Sequence, residues 1–315
     1  MARAPAAAWR HAAVTAPAPG WLDAAAARRA MTRAARRGHA PDPFAAEIAR
    51  RMAERLELVR LAPQRVLDVR CGPTAGGDEA LHARYPRAEH VTLEPVPPAP
   101  RARPGWAARL ARPFASRTGR IACADAGGLP FPPSAFELVW SNLALAAYDD
   151  PAAVLREWHR VLAVDGLLMF TTVGPDTLKE LRAAFAFEAP PHVHPFADMH
   201  DIGDMLVGAG FADPVIDMEM VTLTYAAFDD LLGDLRRAGA TNAHAARRRG
   251  LTGRGTWSRA RRAYEALARD GGNARRLPAT VEVVYGHAWK PAPRVAADGR
   301  QIIRFDARGP HRRRN

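Results

Sequence analysis

The residues with the clearest chemical potential lie between positions 65 and 78, in the run Arg-Val-Leu-Asp-Val-Arg-Cys-Gly-Pro-Thr-Ala-Gly-Gly-Asp. The run predicts a buried strand, a turn that contains glycine, and the start of a helix. In an α/β sheet this is where a nucleotide-like ligand meets the carboxyl ends of the strands. Asp68 closes the predicted strand, and Gly72 allows the backbone to approach a ligand closely. We therefore expect both residues to line a ligand site.

Acidic residues also end the next two predicted strands. Glu94 ends the second strand, 26 residues after Asp68, where an acid can accept hydrogen bonds from both hydroxyls of a ribose. Asp125 ends the third strand with Ala126 beside it, and an acid there can accept from an adenine amino group. Each acid has a simpler interpretation: Glu94 is a surface residue before a proline, and Asp125 is a turn residue before Gly127-Gly128. Acids at three successive strand ends favour one shared site.

Other polar residues give weaker signals. Asn142 follows the fourth predicted strand and could orient a ligand, but a structural role in capping the turn explains it equally well. His192, His194 and His200 lie on a proline-rich stretch without a clear carboxylate partner, so we expect no metal site. The sequence has no Gly-x-Ser-x-Gly, P-loop or HExxH pattern, which argues against hydrolases and NTPases. No Gly-x-Gly-x-x-Gly follows the first strand, which argues against an NAD dehydrogenase.

Alternating strands and helices must position these residues. Apolar runs predict strands at residues 66–69, 91–93, 121–124, 138–140, 167–172, 215–224 and 280–289. The sequence pattern predicts helices at residues 44–62, 176–185 and 198–209. Asp150-Pro151, an N-cap acid followed by proline in the first turn, predicts the start of another helix that reaches about residue 162. Strands that alternate with helices favour a parallel sheet. We therefore predict an α/β fold with a Rossmann-like, seven-stranded, mostly parallel sheet and helices on both faces.

The predicted domain spans residues 44–290. Within it, residues 226–277 form a polar, Arg-rich helical insertion before the last strand, where it could cover a substrate. Residues 1–43 are rich in Ala, Arg and Pro, and we expect a mobile leader there, as a disordered N-terminus rather than a transit peptide. Residues 291–315 are expected to be a basic tail that frays.

The charge of the chain has two explanations. The net charge of +12 is typical of nucleic-acid-binding proteins. However, Lys179 and Lys290 are the only lysines, and such a dominance of Arg also fits a GC-rich coding bias. We therefore interpret most arginines as solvated tails and faces rather than a groove for a polyanion. An acidic protein partner would suit the same charge. No apolar run of about 18 residues predicts a membrane span. Cys71 and Cys123 each lie in or just after a predicted buried strand and form no CxxC pair, so we expect buried, reduced thiols in a cytoplasmic protein.

Longer blocks of sequence carry a family resemblance. Together with the run around Asp68, the blocks that begin at Asp125 (Asp-Ala-Gly-Gly-Leu-Pro-Phe), Ser134 (Ser-Ala-Phe-Glu-Leu-Val-Trp-Ser-Asn) and Glu157 (Glu-Trp-His-Arg-Val-Leu) resemble the type 11 methyltransferases, which use S-adenosylmethionine. Their first motif is Asp-x-Gly-x-Gly-x-Gly, which Asp68 and Gly72 match.

Later blocks resemble a narrower group, the malonyl-acyl carrier protein O-methyltransferases of biotin synthesis. These blocks begin at Gly174 (Gly-Pro-Asp-Thr-Leu-Lys-Glu-Leu-Arg), His194 (His-Pro-Phe-Ala-Asp-Met-His-Asp), Gly239 (Gly-Ala-Thr-Asn) and Tyr285 (Tyr-Gly-His-Ala-Trp-Lys). The same blocks occur in a related arginine hydroxylase that assists the assembly of respiratory complex I. The resemblance covers roughly residues 44 to 290.

The resemblance implies methyl transfer from S-adenosylmethionine to the free carboxylate of a malonyl thioester on acyl carrier protein. That carboxylate is already ionised at neutral pH, so alignment rather than a general base would provide the rate. The residues that would bind the cofactor are Asp68, Gly72, Glu94, Asp125, Ala126 and Asn142. Arginines grip carboxylates well, and the candidates for orienting the substrate, besides Asn142, are Arg247, Arg248, Arg249 and Arg254. The acidic carrier would match the basic surface.

The chain departs from the resembled pattern at two glycine positions and in one segment. Arg70 and Thr74 replace the flanking glycines of the first motif, and a proline-rich run follows Glu94 where a helix is usual. We expect Arg70 to point towards the methionine part of the cofactor, whose sulfonium is also positive, at a cost of several kcal/mol. The alternatives are therefore a non-catalytic scaffold with an impaired cofactor site, or a hydroxylase-type relative. The charge of the chain also leaves a nucleic-acid methyltransferase open.

Overall fold

The computed structural model describes residues 20–37, 42–72, 78–96, 120–270 and 276–293. In this part of the chain the strands are β1 (Arg65–Val69), β2 (Glu89–Glu94), β3 (Arg120–Cys123), β4 (Phe136–Ser141), β5 (Leu162–Val173), β6 (Ala212–Tyr225) and β7 (Leu277–Trp289). The α-helices are α1 (Ala24–Arg37), α2 (Pro43–Arg55), α3 (Asp78–Arg84), α4 (Pro151–Val161), α5 (Lys179–Ala184), α6 (Met199–Gly208), α7 (Phe228–Arg237) and α8 (Arg254–Asp270). None of the described helices is long and apolar enough to cross a membrane.

The strands form one sheet in the order β3-β2-β1-β4-β5-β7-β6. The first five strands run parallel to their neighbours, whereas β7 runs antiparallel to both β5 and β6. Apolar side chains fill both faces: one core contains Trp158 and Leu206, and the other contains Met52 and Leu81. The predicted seven-stranded, mostly parallel Rossmann-like sheet is confirmed.

The predicted helix starts have the expected capping chemistry. The carboxylate of Asp150 accepts a hydrogen bond from the backbone N–H of Ala153, and Pro151 occupies the first turn. Asp42 caps α2 in the same way, with Pro43 following it. An acid satisfies an unpaired N–H of the first turn there, and proline lacks the N–H that would otherwise be unpaired.

Several predicted boundaries need correction. Strand β5 begins at Leu162 instead of residue 167, because Asp165 (φ 60°) and Gly166 lie inside the strand as an irregularity rather than before it. Strand β3 is an edge strand with mostly exposed side chains, so Cys123 is exposed and not buried as expected. The segment expected to start a helix at Asp176 instead bonds to β7, which delays α5 to residue 179.

The N-terminal region also differs from the expected mobile leader. Residues 20–37 contain α1, which packs the apolar face formed by Ala27, Ala30, Met31, Ala34 and Ala35 onto the domain. The carboxylate of Asp149 accepts from the backbone N–H groups of Gly20 and Leu22. The sequence analysis considered only the Arg-rich composition of this segment and overlooked its alanine face. Alanine side chains bury little area individually, but their small size allows the helix to pack closely. Most of the expected C-terminal tail lies outside the described residues.

The stretch between β6 and β7 contains α7 and α8, in agreement with the predicted helical insertion before the last strand. These helices share an apolar cluster with α5 that includes Phe228, Leu181 and Tyr264. The hydroxyl of Tyr264 donates to the carbonyl of Pro278 at 2.5 Å, which joins α8 to β7. The insertion therefore lies over one part of the sheet and can form the wall of a cavity.

Candidate active site

The strand-end acids Asp68 and Glu94 lie side by side at the carboxyl edge of the sheet. Strand β1 pairs in parallel with β2, which brings Asp68 opposite Thr92 and Glu94 one residue beyond the last pair. Both acids are largely buried, at 6% and 9% exposure. Buried carboxylates require hydrogen-bonding or charged partners. The parallel pairing of β1 and β2 therefore places two acids of the predicted cofactor site next to each other.

Arg70 supplies such a partner for both acids. Its Nε donates to Asp68 Oδ2 at 2.6 Å, and its Nη1 lies 3.8 Å from Glu94 Oε1. The guanidinium therefore turns back onto the two carboxylates. From the sequence we expected the Arg70 side chain to point towards the methionine part of the cofactor. In the structure it points towards the carboxylates of Asp68 and Glu94 instead. Thr74, the second departure, lies outside the described residues.

The backbone explains why one glycine of the motif is required and another is replaceable. Gly72 has a φ of +132°, which favours glycine strongly, and a Cβ built there would have as its nearest neighbour Met31 Cγ at 4.0 Å. Arg70 is not among the described non-glycine residues with positive φ. An L-residue therefore fits at position 70 without backbone strain, whereas position 72 needs glycine.

Asp125 follows β3 and has two partners within the chain. Its Oδ1 accepts from the backbone N–H of Gly127 at 2.9 Å, and its Oδ2 pairs with Arg28 of α1 at 3.2 Å. This is the turn geometry that the simpler interpretation predicted. The carboxylate is about half exposed, whereas Ala126 beside it is buried. A cofactor role for Asp125 and Ala126 stays a prediction.

Asn142 is fully engaged by the fold. Its amide Nδ2 donates to the carbonyl of Ala45 at 2.8 Å, and its Oδ1 accepts from the hydroxyl of Thr171 at 2.8 Å. The residue is 3% exposed and joins the end of β4 to β5 and to α2. The structural alternative therefore explains both ends of the side chain, and an orienting role requires that the ligand contact the same amide.

A cavity of about 550 Å³ opens from this edge of the sheet towards the insertion. We call it the insertion cavity. At the sheet it is lined by Cys71, Asn142 and Leu143, and at the insertion by Tyr225, Leu231, Leu235 and Asn242. Helix α1 forms another wall through Ala27 and Met31. Its size is in the range that small-molecule sites use.

The subgroup-specific blocks build the walls of this cavity. Thr177 and Leu178 line it, and the backbone N–H of Leu178 donates to the carbonyl of Thr280 at 2.7 Å. The carboxylate of Glu282 accepts from the N–H of Asp176 and occupies the space that any side chain at Gly174 would need. Asn242 donates to the carbonyl of Pro191 at 2.8 Å. These blocks are therefore structural elements of the cavity.

His194 is a polar side chain in the wall of the insertion cavity that sequence reasoning considered only as a metal ligand. It packs between Trp21 and Phe196, with ring centroids at 5.4 and 4.8 Å. Its Nδ1 is buried and makes no hydrogen bond within the described part of the chain. Burial, together with the charges of His244 and Arg182, lowers the pKa of His194 to about 4. The imidazole is therefore neutral at pH 7 and able to donate one hydrogen bond to a ligand.

The thiol of Cys71 also lines the cavity and is unreactive. Burial raises its pKa to about 12, and the negative charge of Glu94 adds to the effect. A protonated thiol is a poor nucleophile. The described residues likewise contain no group of three or more His, Cys, Asp or Glu side chains that could hold a metal ion. His192 instead stacks on Phe185, and His200 pairs with Asp198.

The arginines predicted to grip a carboxylate do not line the insertion cavity. Arg247 pairs with Asp23 at 2.9 Å, which ties the insertion to the segment before α1. Arg248 pairs with Glu188 at 3.2 Å, and Arg249 and Arg254 are exposed. These residues were chosen because arginines cluster in that stretch, but none of the four is among the residues that line the cavity.

Arg236 is the arginine that does line the cavity, and it was missed by sequence reasoning. It lies in the last turn of α7, is exposed, and contributes to the cavity wall together with Gly239. Solvent therefore reaches this part of the cavity wall. The signal for it was present in the amphipathic pattern of α7, whose apolar face turns Leu231 and Leu235 into the same cavity.

Comparisons with known proteins agree with this geometry. A family model described as a methyltransferase domain matches residues 67–170. A malonyl-acyl carrier protein O-methyltransferase from Laribacter hongkongensis is 51% identical over 84% of this chain and 89% of its own length. Another from Gallionella capsiferriformans is 47% identical over 90% of this chain and 96% of its own length. The chain belongs to the malonyl-acyl carrier protein O-methyltransferase family.

Family membership confirms the predicted methyltransferase activity and its cofactor, S-adenosylmethionine. The fold is independently supported by the crystal structure of the YcgJ protein from Bacillus subtilis, with a TM-score of 0.51 at 16% identity, over 78% of this chain and 99% of that one. The roles of the individual site residues stay predictions. The contacts described above specify which atoms of these residues are already engaged within the protein.

Proposed function

We propose that the protein transfers a methyl group from S-adenosylmethionine to the free carboxylate of a malonyl thioester carried by acyl carrier protein in the cytoplasm. The substrate named for its relatives supports this acceptor. The observation that carries the proposal is the insertion cavity, whose lining extends from Cys71 and Asn142, at the carboxyl edge of the sheet, to Arg236, an exposed residue of its wall. A slender acyl arm that enters at Arg236 would bring its far end to the cofactor edge.

The residues at the sheet edge fit the cofactor. Gly72 offers backbone without a side chain, and Glu94 offers a buried carboxylate for ribose hydroxyls. Asp125 and Ala126 would hold the adenine, and Asp68 would support the methionine end. The cofactor, when bound, supplies an electrophilic methyl group. The protein supplies position and a water-poor environment, which suit a carboxylate nucleophile that needs no base.

His194 has the properties needed to orient the acceptor carboxylate. A neutral imidazole donates a hydrogen bond without holding the carboxylate as an ion pair, so the oxygen stays nucleophilic. The low pKa of about 4 keeps the ring in this form at neutral pH. Around it, Trp21 and Phe196 exclude water from the polar contact.

The direct test is methylation of purified malonyl-acyl carrier protein, followed by mass spectrometry of the acyl group. We expect one methyl group to be added when S-adenosylmethionine is present. Acetyl-acyl carrier protein, which lacks the free carboxylate, is the matched control and should stay unmodified. Transfer to both carriers would show that the carboxylate is not the acceptor, and transfer to neither would contradict the proposed substrate.

One observation favours a second candidate, a scaffold with an impaired cofactor site: Arg70 already occupies the carboxylates of Asp68 and Glu94. Calorimetric titration of S-adenosylmethionine and S-adenosylhomocysteine distinguishes the candidates. Micromolar binding supports the enzyme, whereas no binding supports the scaffold. Product formation that depends on iron would identify instead the hydroxylase-type activity.

A further inference from the structure

Helix α1 presents an unusually basic outer face. It contains Arg28, Arg29, Arg33, Arg36 and Arg37 and has no acidic residue. All five arginines are exposed, while the alanines and Met31 of the opposite face are buried. The two faces therefore have distinct roles: one holds the helix on the domain, and the other projects positive charge into solvent.

The arginines in the second half of α1 have no acidic partner in the described part of the chain. Arg28 pairs with Asp125, and Arg29 lies 4.0 Å from Asp23. No ion pair within the described residues involves Arg33, Arg36 or Arg37. Unpaired exposed charges of one sign attract a partner of the opposite sign and accelerate its encounter.

This basic face belongs to a helix that forms a wall of the insertion cavity. The buried side of α1 is a wall of the cavity through Ala27 and Met31. Gly239, just after α7, touches the same helix: a Cβ there would lie 3.3 Å from Met31 Cα and 3.5 Å from Ala34 Cβ. Arg236, exposed in the cavity wall, precedes Gly239 by less than one helical turn. The second half of α1 therefore lies beside the end of α7, which carries Arg236.

We infer that the outer face of α1, with Arg236 beside it, is the docking surface for the acidic acyl carrier protein. This inference rests on the proposed function. The acidic surface of the carrier would contact Arg33, Arg36 and Arg37, and Arg236 would meet the phosphodiester of the pantetheine arm as the arm enters the cavity. A cavity lined mostly by apolar side chains suits a flexible acyl arm on a protein better than a stacked nucleic acid.

The experiment measures binding of purified holo acyl carrier protein to the full chain. The test variant is Arg36→Glu/Arg37→Glu on α1. The control is Arg60→Glu/Arg87→Glu, which makes the same charge change at exposed positions before β1 and β2, at the opposite edge of the sheet. We expect the α1 variant to weaken binding at least about 10-fold and the control to change it less than about 2-fold. Circular dichroism and thermal melting establish that each variant is folded.

Equal weakening in both variants would show that net charge alone attracts the carrier and would overturn the inference. An unchanged affinity in the α1 variant, or no carrier binding by the unmodified chain, would overturn it as well. A loss of DNA binding without a loss of carrier binding would assign the face to nucleic acid. Methyl transfer to malonyl-acyl carrier protein by the unmodified chain is scored separately, so the proposed function can fail while the docking surface stands, and the reverse.

Kinetics add a second readout. Malonyl pantetheine carries the acyl arm without the protein. We expect the α1 variant to lose much more kcat/KM with malonyl-acyl carrier protein than with malonyl pantetheine, because only the former meets the helix. Equal losses on the two substrates would mean that α1 supports the cavity and does not receive the carrier, which would contradict the inference.

Discussion

The two ends of the candidate site achieve recognition by opposite means. At the sheet edge, charged side chains are close together and already paired, as Arg70 is with Asp68 and Glu94. In the insertion cavity, apolar side chains surround a neutral imidazole at His194. The first end offers strong directional acceptors for a polar cofactor, and the second offers a mostly apolar shape with a neutral donor at His194.

This difference indicates which interactions should determine the affinity for the cofactor and which should determine recognition of the acceptor. Hydrogen bonds to buried carboxylates are strong, and leaving one unmade is expensive. An apolar cavity discriminates mainly by size, so each methylene contributes modestly. Substitutions at the sheet edge should therefore change cofactor binding steeply, and substitutions in the cavity should change acceptor turnover while cofactor binding stays the same.

The largest effect is expected from Glu94→Ala. Removing this acceptor should weaken S-adenosylmethionine binding by about 100-fold, since two hydrogen bonds to a charged group are lost. Calorimetry measures the change. The matched control is Glu89→Ala at the other end of β2, where the side chain is 44% exposed and pairs with Arg120; its affinity should match that of the unmodified protein. Equal affinities in the two variants would remove Glu94 from the cofactor site.

His194→Phe should lower kcat/KM for malonyl-acyl carrier protein by about 30-fold, because the aromatic packing is kept and one hydrogen bond to the carboxylate is lost. Cofactor affinity, measured by calorimetry, should be unaffected. His194→Gln, which retains a donor, should recover part of the activity. If cofactor affinity fell together with turnover, the distinction between the two ends would be wrong.

The same substitution has a consequence for stability. The pKa of His194 is about 4 in the folded protein and about 6.5 in the unfolded chain. The unfolded chain therefore binds more protons between these values, so the free energy of unfolding decreases as pH falls from about 6.5 to 4, by up to about 3 kcal/mol. Urea denaturation across this range should show a shallower pH dependence in His194→Phe. Parallel pH curves would mean that the ring is protonated in the folded state.

Arg70→Gly tests the paired carboxylates directly. We expect S-adenosylmethionine to bind about 10-fold more tightly, because the carboxylates of Asp68 and Glu94 no longer hold a guanidinium and can accept hydrogen bonds from the cofactor instead. The free energy of unfolding should fall by about 2 kcal/mol, since two buried acids lose a cation. Calorimetry and urea denaturation measure the two changes.

Arg70→Lys, which keeps the charge, is the control, and adding Thr74→Gly examines the second departure from the motif. If affinity falls in Arg70→Gly, Arg70 is a constituent of the cofactor site and not a competitor. Binding by the double variant alone, with none by the unmodified chain, would show a methyltransferase frame whose cofactor site has decayed.

The fold was predictable because its signals are local and repeated. Apolar runs identified every described strand, and Asp150-Pro151 identified the start of α4. The acids at the strand ends were also predictable, since parallel strands bring their carboxyl ends to one edge. The direction of Arg70 was not, because it depends on two carboxylates that lie on different strands.

The walls of the insertion cavity were harder to predict. Its lining comes from α1, α7 and the segment around His194, which are distant in sequence. Composition made residues 20–37 look like part of a mobile leader, although alternating alanine and arginine at helical spacing gives α1 a buried face. We chose Arg247 and Arg249 as candidates because arginines cluster there in the sequence. The arginine that lines the cavity in the described part of the chain, Arg236, lies outside that cluster, at the end of an amphipathic helix.

Arg247→Ala gives the smallest expected effect and tests that misplacement. Arg247 is 16% exposed and pairs with Asp23, so its loss should loosen α1 and lower the free energy of unfolding by about 1 kcal/mol. Turnover of malonyl-acyl carrier protein should fall only about 3-fold, because the cavity wall is loosened but no substrate contact is removed. Asp23→Ala breaks the same ion pair and also removes the cap that Asp23 Oδ1 provides to the backbone N–H of Ala26, so it should lower the free energy of unfolding further. A fall of about 100-fold in Arg247→Ala alone would instead support the role that the sequence suggested, a direct grip on the acceptor carboxylate.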